Sequence, residues 1–262
     1  METIMIREAS NSDKSTIMNF CKNTFSWGDY IEYVWNYWLS EGNLFVIEKK
    51  QPIGICHAIF SKNQVWIEGI RISPDNRRQG LASKLVNHIE LIAKEKQMNF
   101  SYMLIDIENF SSLQMAKTLN YQIYETWNFY SILPQITHNH NVEFGQIPHT
   151  TKISHYVKSW RWLLLDEESL IQFYKQNKII LSNNYGDVSI AILTDSEHFA
   201  NTLIVTLFSG SEKNTLELLS YIQNYGAEKK YHKIQILTRE KISFTNSLEH
   251  KITFNLMRKP LN

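Results

Sequence analysis

Apolar positions along the chain change their period several times, and each change predicts an element. Residues 3–9, "TIMIREA", alternate like a strand. Ser12 or Asp13 can cap a helix that turns Ile17, Phe20 and Cys21 inward. Residues 27–42, "WGDYIEYVWNYWLSEG", predict a very aromatic second helix ended by Gly42. Three strands follow, "NLFVIEKK", "IGICHAIF" and "QVWIEGIRI", with breaks short enough for hairpins. Leu81, Leu85, Ile89 and Ile92 then recur every three or four residues, the spacing of a helix with one buried face. Residues 100–107, "FSYMLIDI", are apolar on both faces and predict a central strand. A helix over 111–119 and a closing strand "TWNFYSIL" complete a unit ordered β-α-α-β-β-β-α-β-α-β. Its step from Val65 to Ile107 should be a right-handed parallel crossover.

From 134 to 151 the chain turns polar, which predicts a linker. Strands near 178–181 and 188–193 come next. Then "IVTLFSGSEKNTLELLSYI" repeats the rhythm of "IEGIRISPDNRRQGLASKLVNHI", without arginines at the turn. The expected organisation is an N-terminal α/β domain over 1–133, a linker over 134–151, and a smaller α/β domain over 152–262. The C-terminal domain has the pattern of a degenerate copy of the N-terminal one.

Composition narrows the function classes. The 262 residues carry 27 basic and 26 acidic side chains, a balance without a nucleic-acid footprint or a polybasic membrane anchor. Two cysteines at unrelated positions, Cys21 and Cys56, suggest neither a disulfide framework nor a metal site, and a reducing compartment is expected. No run approaches the ~18 apolar residues of a membrane span, and no apolar leader follows Met1, so the expected location is cytoplasmic. His138, His140 and His149 in the linker read as solvated histidines rather than metal ligands. The oligomeric state is left open.

The chemistry concentrates at "SPDNRRQGLASKLVNHIE", where Pro74, Arg77, Arg78 and Gly80 precede a helix start. Free N–H groups and the positive dipole end make such a start an anion site. Gly80 lets a backbone approach a diphosphate closely, Ala82 and Ser83 keep the first turn uncluttered, and N–H groups from Arg78 to Ser83 can converge. Glu68 is a carboxylate in an otherwise apolar strand, which is costly unless paired or useful. It is either a general base or a group bonded to Arg71 or a neighbouring strand. Cys56 and His57 are adjacent in a strand, so they point to opposite faces and do not form a nucleophilic dyad.

"ISPDNRRQGLA" resembles the acetyl-CoA loop of the GNAT superfamily of N-acetyltransferases, whose Arg/Gln-x-x-Gly-x-Gly/Ala pattern is met by Arg77, Gly80 and Ala82. The resemblance covers roughly residues 3–133 and extends faintly to 152–262. It implies a GNAT-like mixed twisted sheet flanked by helices, with acetyl-CoA as cosubstrate and an amine-bearing acceptor. Direct transfer would follow in a ternary complex. Acetyl-CoA would be held by Ile70, Arg71 and Ile72 along the pantetheine arm, by Arg77, Arg78, Gln79, Gly80, Leu81, Ala82 and Ser83 at the diphosphate, and by Asn109. Asn109 also reads as a simple helix cap. Glu68 would act as base and the backbone N–H of Ile70 as oxyanion donor, with Gly69 marking a bulge. The family's usual tyrosine acid falls on Ala116, so Tyr121, Tyr124 or solvent would protonate the thiolate, or it would leave unprotonated. Trp27, Asp29 and Tyr30 are the candidate acceptor contacts. A non-catalytic acyl-CoA sensor is the alternative reading.

Overall fold

Arg7, in the first strand, ties down the chain's start by reaching both Asp13 (2.8 Å) and Glu48 (2.6 Å). A computed structural model describes residues 3–24, 28–138, 140–148, 151, 153–184 and 186–261. The elements lie close to the expected spans. They begin with β1 (Met5–Glu8), α1 (Lys14–Cys21), α2 (Ile31–Glu41), β2 (Leu44–Glu48), β3 (Pro52–Ser61) and β4 (Gln64–Ile72). Next come α3 (Leu81–Glu95), β5 (Phe100–Asp106), α4 (Phe110–Thr118) and β6 (Gln122–Ile132).

The chain divides into two compact units, one of residues 1–124 and 256–262, the other of 125–255. This differs from a boundary at 133. The strand expected to close the first unit, β6, runs antiparallel beside a strand of the second half from Asn128 to Ile132. The linker expectation also changes, because a short strand β7 (Glu143–Phe144) lies inside it.

In the first unit β1, β2, β3 and β4 form an antiparallel run, and β4 pairs in parallel with β5. Such a parallel pair needs a crossover, and α3 supplies it. Leu81, Leu85, Val86, Ile89 and Ala93 of α3 are buried against Phe45, Ile47, Val65, Ile67 and Met103. Each buried leucine or isoleucine contributes about 1.5–3 kcal/mol relative to exposure, enough to fix where the helix begins. On α2, Ile31, Val34, Trp35 and Trp38 are buried with Leu44, Val46 and Ile55. Most of the aromatic face of "YIEYVWNYW" is therefore core.

The second unit contains β8 (His155–Lys158), β9 (Arg161–Leu164), α5 (Glu167–Lys175), β10 (Ile179–Asn184), β11 (Asp187–Asp195), β12 (Thr202–Phe208), α6 (Glu212–Glu228) and β13 (Lys233–Thr238). β10, β11 and β12 are antiparallel neighbours, and β12 and β13 are parallel on either side of α6. That is the rhythm of β3, β4, α3 and β5. The last strand, β14 (Glu249–Pro260), has no counterpart in the expected pattern. Its final residues belong to the first unit, where Lys259 bonds Glu90 and the N–H of Leu261 bonds the carbonyl of Asn99.

Candidate functional site

β4 changes character halfway along. Its pairing with β5 covers only Gln64–Trp66 against Phe100–Tyr102. Residues 67–72 and 103–106 lie beyond that register, so the two parallel strands part toward their C-terminal ends. On its other side β4 carries a bulge: His57 faces Glu68 and Ile55 faces Arg71, leaving Gly69 and Ile70 opposite Cys56 alone. Gly69 adopts φ +66°, and a Cβ there would lie 2.4 Å from the Trp38 ring. Glycine is thus required twice over, by backbone and by space. The expected bulge is present, and it sets Ile70, the expected oxyanion donor, at the point of divergence.

The loop after β4 turns through a short 3-10 segment, Pro74–Asn76, braced by Asn76 Nδ2 to Ser73 Oγ (2.8 Å) and by Lys49 Nζ to Asn76 Oδ1 (3.1 Å). Arg77 then extends, while Arg78 (φ +60°) and Gly80 (φ +72°) are left-handed. Alternation of this kind turns successive N–H groups toward one side, as an anion nest requires. Gly80 caps α3 with no side-chain bond, and the helix's own bonding begins at the Lys84 N–H. The N–H groups of Leu81, Ala82 and Ser83 precede that first bond. A Cβ at Gly80 would meet nothing within 4 Å. The glycine therefore serves the left-handed backbone, and the space above it is open to a ligand. The side chains of Arg77 and Gln79 fold back onto the carbonyls of Ile72 (3.1 Å) and Asp75 (3.5 Å).

Glu68 is bonded to its cross-strand partner, His57. Its Oε1 lies 2.9 Å from His57 Nδ1, and its Oε2 accepts from Trp66 Nε1 at 3.1 Å. His57 is fully buried, stacked on Trp38 with ring centres 4.7 Å apart, and its Nε2 lies 3.1 Å from the Gly42 carbonyl. Sequence reading missed this histidine as a partner of Glu68. The signal was there, since counting back through the hairpin "SKNQ" sets His57 against Glu68. Cys56 is inert: burial first, then the Glu68 charge, pushes its thiol up.

Arg71 and Asp29, expected at the cofactor and the acceptor, have side chains that instead hold each other, Nε to Oδ2 at 2.6 Å and Nη2 to Oδ1 at 3.0 Å. Arg71 also lies over the Tyr30 ring at 5.3 Å. Asp29 thus has its countercharge within the protein, and it also accepts from the Ile31 N–H at the start of α2. The Ile70, Arg71 and Ile72 backbone still lines the divergence. Trp27 lies outside the described residues. Asn109 is the cap of α4, accepting from the Ser112 N–H at 3.1 Å.

Of the candidate acids, Tyr121 is locked in the core, bonded to Ser101 (2.5 Å) and Glu90 (2.8 Å), and Ala116 at the usual tyrosine position is fully buried. Burial and Glu90 hold the Tyr121 phenol well above its usual range, so it is a poor proton donor. Tyr124 lies under Arg258, 3.9 Å from ring centre to guanidinium. No cluster of three metal-ligating side chains occurs among the described residues, and no helix there is long and apolar enough to cross a membrane.

The model of the acetyltransferase (GNAT) family matches residues 9–121, the stretch that holds the bulge, the loop and α3. Among solved structures, a GCN5-related N-acetyltransferase from Sphaerobacter thermophilus superposes with a TM-score of 0.65 at 12% identity, covering 98% of this chain and 96% of that one. Another from Anabaena variabilis gives 0.52 at 13% identity, covering 99% and 73%. A Thermoplasma acidophilum protein named provisionally as an acetyltransferase gives 0.66 at 13% identity, covering 98% and 99%. At such identities these likenesses speak to fold alone, and they show that both units follow it. No curated protein matches by sequence. Family model, parted strands and unblocked helix start converge on one stretch of the chain: residues 9–121 match the acetyltransferase (GNAT) family.

Proposed function

We propose that the protein transfers an acetyl group from acetyl-CoA to an amine by direct attack. The observation that carries this is the arrangement around β4. A left-handed loop delivers an uncapped, 15-residue helix start at the end of a strand that has parted from its parallel neighbour. The diphosphate would sit on the N–H groups of residues 78–83, with the pantetheine arm running along Ile70–Ile72 between the strands. A thioester carbonyl there would meet the Ile70 N–H, which would stabilise its oxyanion. Glu68, one residue before the bulge, would take a proton from the amine, whose pKa in water is about 10. Acetyl-CoA, an acceptor amine of a small metabolite or a protein, and a cytoplasmic setting all belong to this proposal.

The absence of a tyrosine at Ala116 and the buried state of Tyr121 favour a second reading, a sensor that binds acyl-CoA without turnover. Release of free thiol from acetyl-CoA across a panel of amines separates the two. The enzyme reading expects release with at least one amine and loss of that release in Glu68→Gln. Binding without release from any amine supports the sensor.

A further inference from the structure

The turn between β2 and β3, residues 49–51, lies beside the loop that follows β4. Backbone pairing fixes this. Gly54 faces Ile72 across the β3–β4 ladder, and just beyond it the Ser73 N–H donates to the Ile53 carbonyl at 2.8 Å. The turn itself is closed by the Lys49 N–H on the Gln51 carbonyl. Glu48, the residue before, is committed to Arg7, whose Nη2 lies 2.6 Å from its carboxylate. Lys49 instead reaches the loop, where its Nζ donates to Asn76 Oδ1 at 3.1 Å. Asn76 in turn donates its Nδ2 to Ser73 Oγ, which holds the amide with its oxygen toward the lysine. An ammonium has three N–H groups. One goes to Asn76, and none of the described residues takes the other two.

Positive charge collects at this edge. Residues 49–51 and 73–80 hold Lys49, Lys50, Arg77 and Arg78 against one carboxylate, Asp75, in a chain whose net charge is only +1. Arg77 and Arg78 are exposed. A diphosphate on the N–H groups of residues 78–83 would use backbone donors. The side-chain cations of the turn and loop then remain for a further anion. Acetyl-CoA carries one, the phosphate monoester on the 3′ oxygen of its ribose, which holds close to two negative charges at neutral pH.

We propose that Lys49 binds the 3′-phosphate of acetyl-CoA, so that the β2–β3 turn selects the complete coenzyme over its 3′-dephospho form. The inference rests on the reading of acetyl-CoA as cosubstrate, and it holds for the enzyme and the sensor alike, since it concerns binding and not turnover. Lysine suits the task. Its ammonium is a compact point charge that meets phosphate oxygens without the planar geometry an arginine needs. The bond to Asn76 keeps the long side chain at the loop before a ligand arrives, which lowers the ordering cost of binding. Asp75 opposes any anion here, and as an exposed group it is screened by water and salt.

Calorimetry with acetyl-CoA and with 3′-dephospho-acetyl-CoA tests this on the intact protein. Wild type should bind the complete coenzyme about 10-fold or more tightly than the dephospho form, the worth of one or two charge-assisted hydrogen bonds. Lys49→Gln should lose most of that preference by weakening acetyl-CoA alone, and Lys49→Arg, which keeps the charge, should retain much of it. Equal binding of the two nucleotides by wild type overturns the proposal, and this measurement needs no variant to fold. A preference that survives in Lys49→Gln overturns the role of Lys49 and passes it to another cation of the loop. Weakening of both nucleotides alike in Lys49→Gln also overturns it, because a lysine that only braces the loop through Asn76 would act on the shared diphosphate. Wild type that binds neither nucleotide overturns the acetyl-CoA reading itself, and this role with it.

Discussion

Replacing Gly80 by Asp and by Asn gives a matched pair that reports on the anion site. Gly80 has φ +72°, and a Cβ there meets nothing within 4 Å. The structural cost is therefore confined to the left-handed backbone, which Asn and Asp tolerate better than other L-residues, at about 1 kcal/mol. For a chain of this size that lowers the apo Tm by about 2–4 °C in both variants. The charge separates them. A carboxylate about 4 Å from a phosphate is repelled by about 1 kcal/mol in water and about 4 kcal/mol in a surface cleft of effective dielectric 20. Acetyl-CoA affinity should fall by about one to three powers of ten in Gly80→Asp and by much less in Gly80→Asn. Thermal shift with acetyl-CoA at about 100 times the wild-type Kd should show about 2.7 kcal/mol of stabilisation in wild type. Most of it should persist in Asn and little in Asp. Equal stabilisation of all three proteins would refute a diphosphate at this helix start.

Glu68→Gln can still donate its amide to His57 Nδ1 and accept from Trp66 Nε1. It should fold, bind acetyl-CoA and lose about 10²–10⁴-fold in kcat, with the loss shrinking as pH rises because more amine is then neutral unaided. Gly69→Ala puts a Cβ 2.4 Å from Trp38 on a backbone at φ +66°, and chemical denaturation should show a loss of about 2–4 kcal/mol. Asp13 is held down from 3.8 to about 2 by its bonds to Arg7. A depressed carboxylate stabilises the fold above its unfolded pKa, so this contribution should be present above about pH 4 and lost as pH falls toward 2. It is worth about 1–2 kcal/mol after allowing for the part-exposed arginine, and acid titration of Asp13→Asn should lack that step. Calorimetry should find one acetyl-CoA site per chain. In the second unit Ser211 caps α6, Asn214 is buried against Asn184 and the Asp187 carbonyl, and a Cβ at Gly210 would lie 2.6 Å from the Val188 carbonyl oxygen. That helix start is filled by its own loop.

Periodic elements were legible because they depend on local spacing. The buried stripe of α3, the hairpin between β3 and β4 and the central position of β5 follow from which side chains must leave water. The loop before α3 was legible from its own residues, since a glycine and two cations directly before an amphipathic helix mark an open helix start. Side-chain pairing was not. Asp29 and Arg71 are 42 residues apart, and nothing local says that an acidic residue at a helix start will meet a cation from a distant strand. Asn109 illustrates the other limit, because capping and ligand binding use the same residue type at the same place.

By itself the sequence determined where most of the strands and helices lie, and that a carboxylate stands in β4 just before a glycine. These are properties of one segment at a time, set by backbone sterics and by the period of apolar positions. Only the tertiary structure decided that β4 parts from β5, that His57 bonds Glu68, and that Asp29 pairs with Arg71. It also decided that β6 and β14 divide their residues between the units. Each of these depends on register or packing between segments far apart in the chain, where a shift of one residue would turn every side chain to the opposite face.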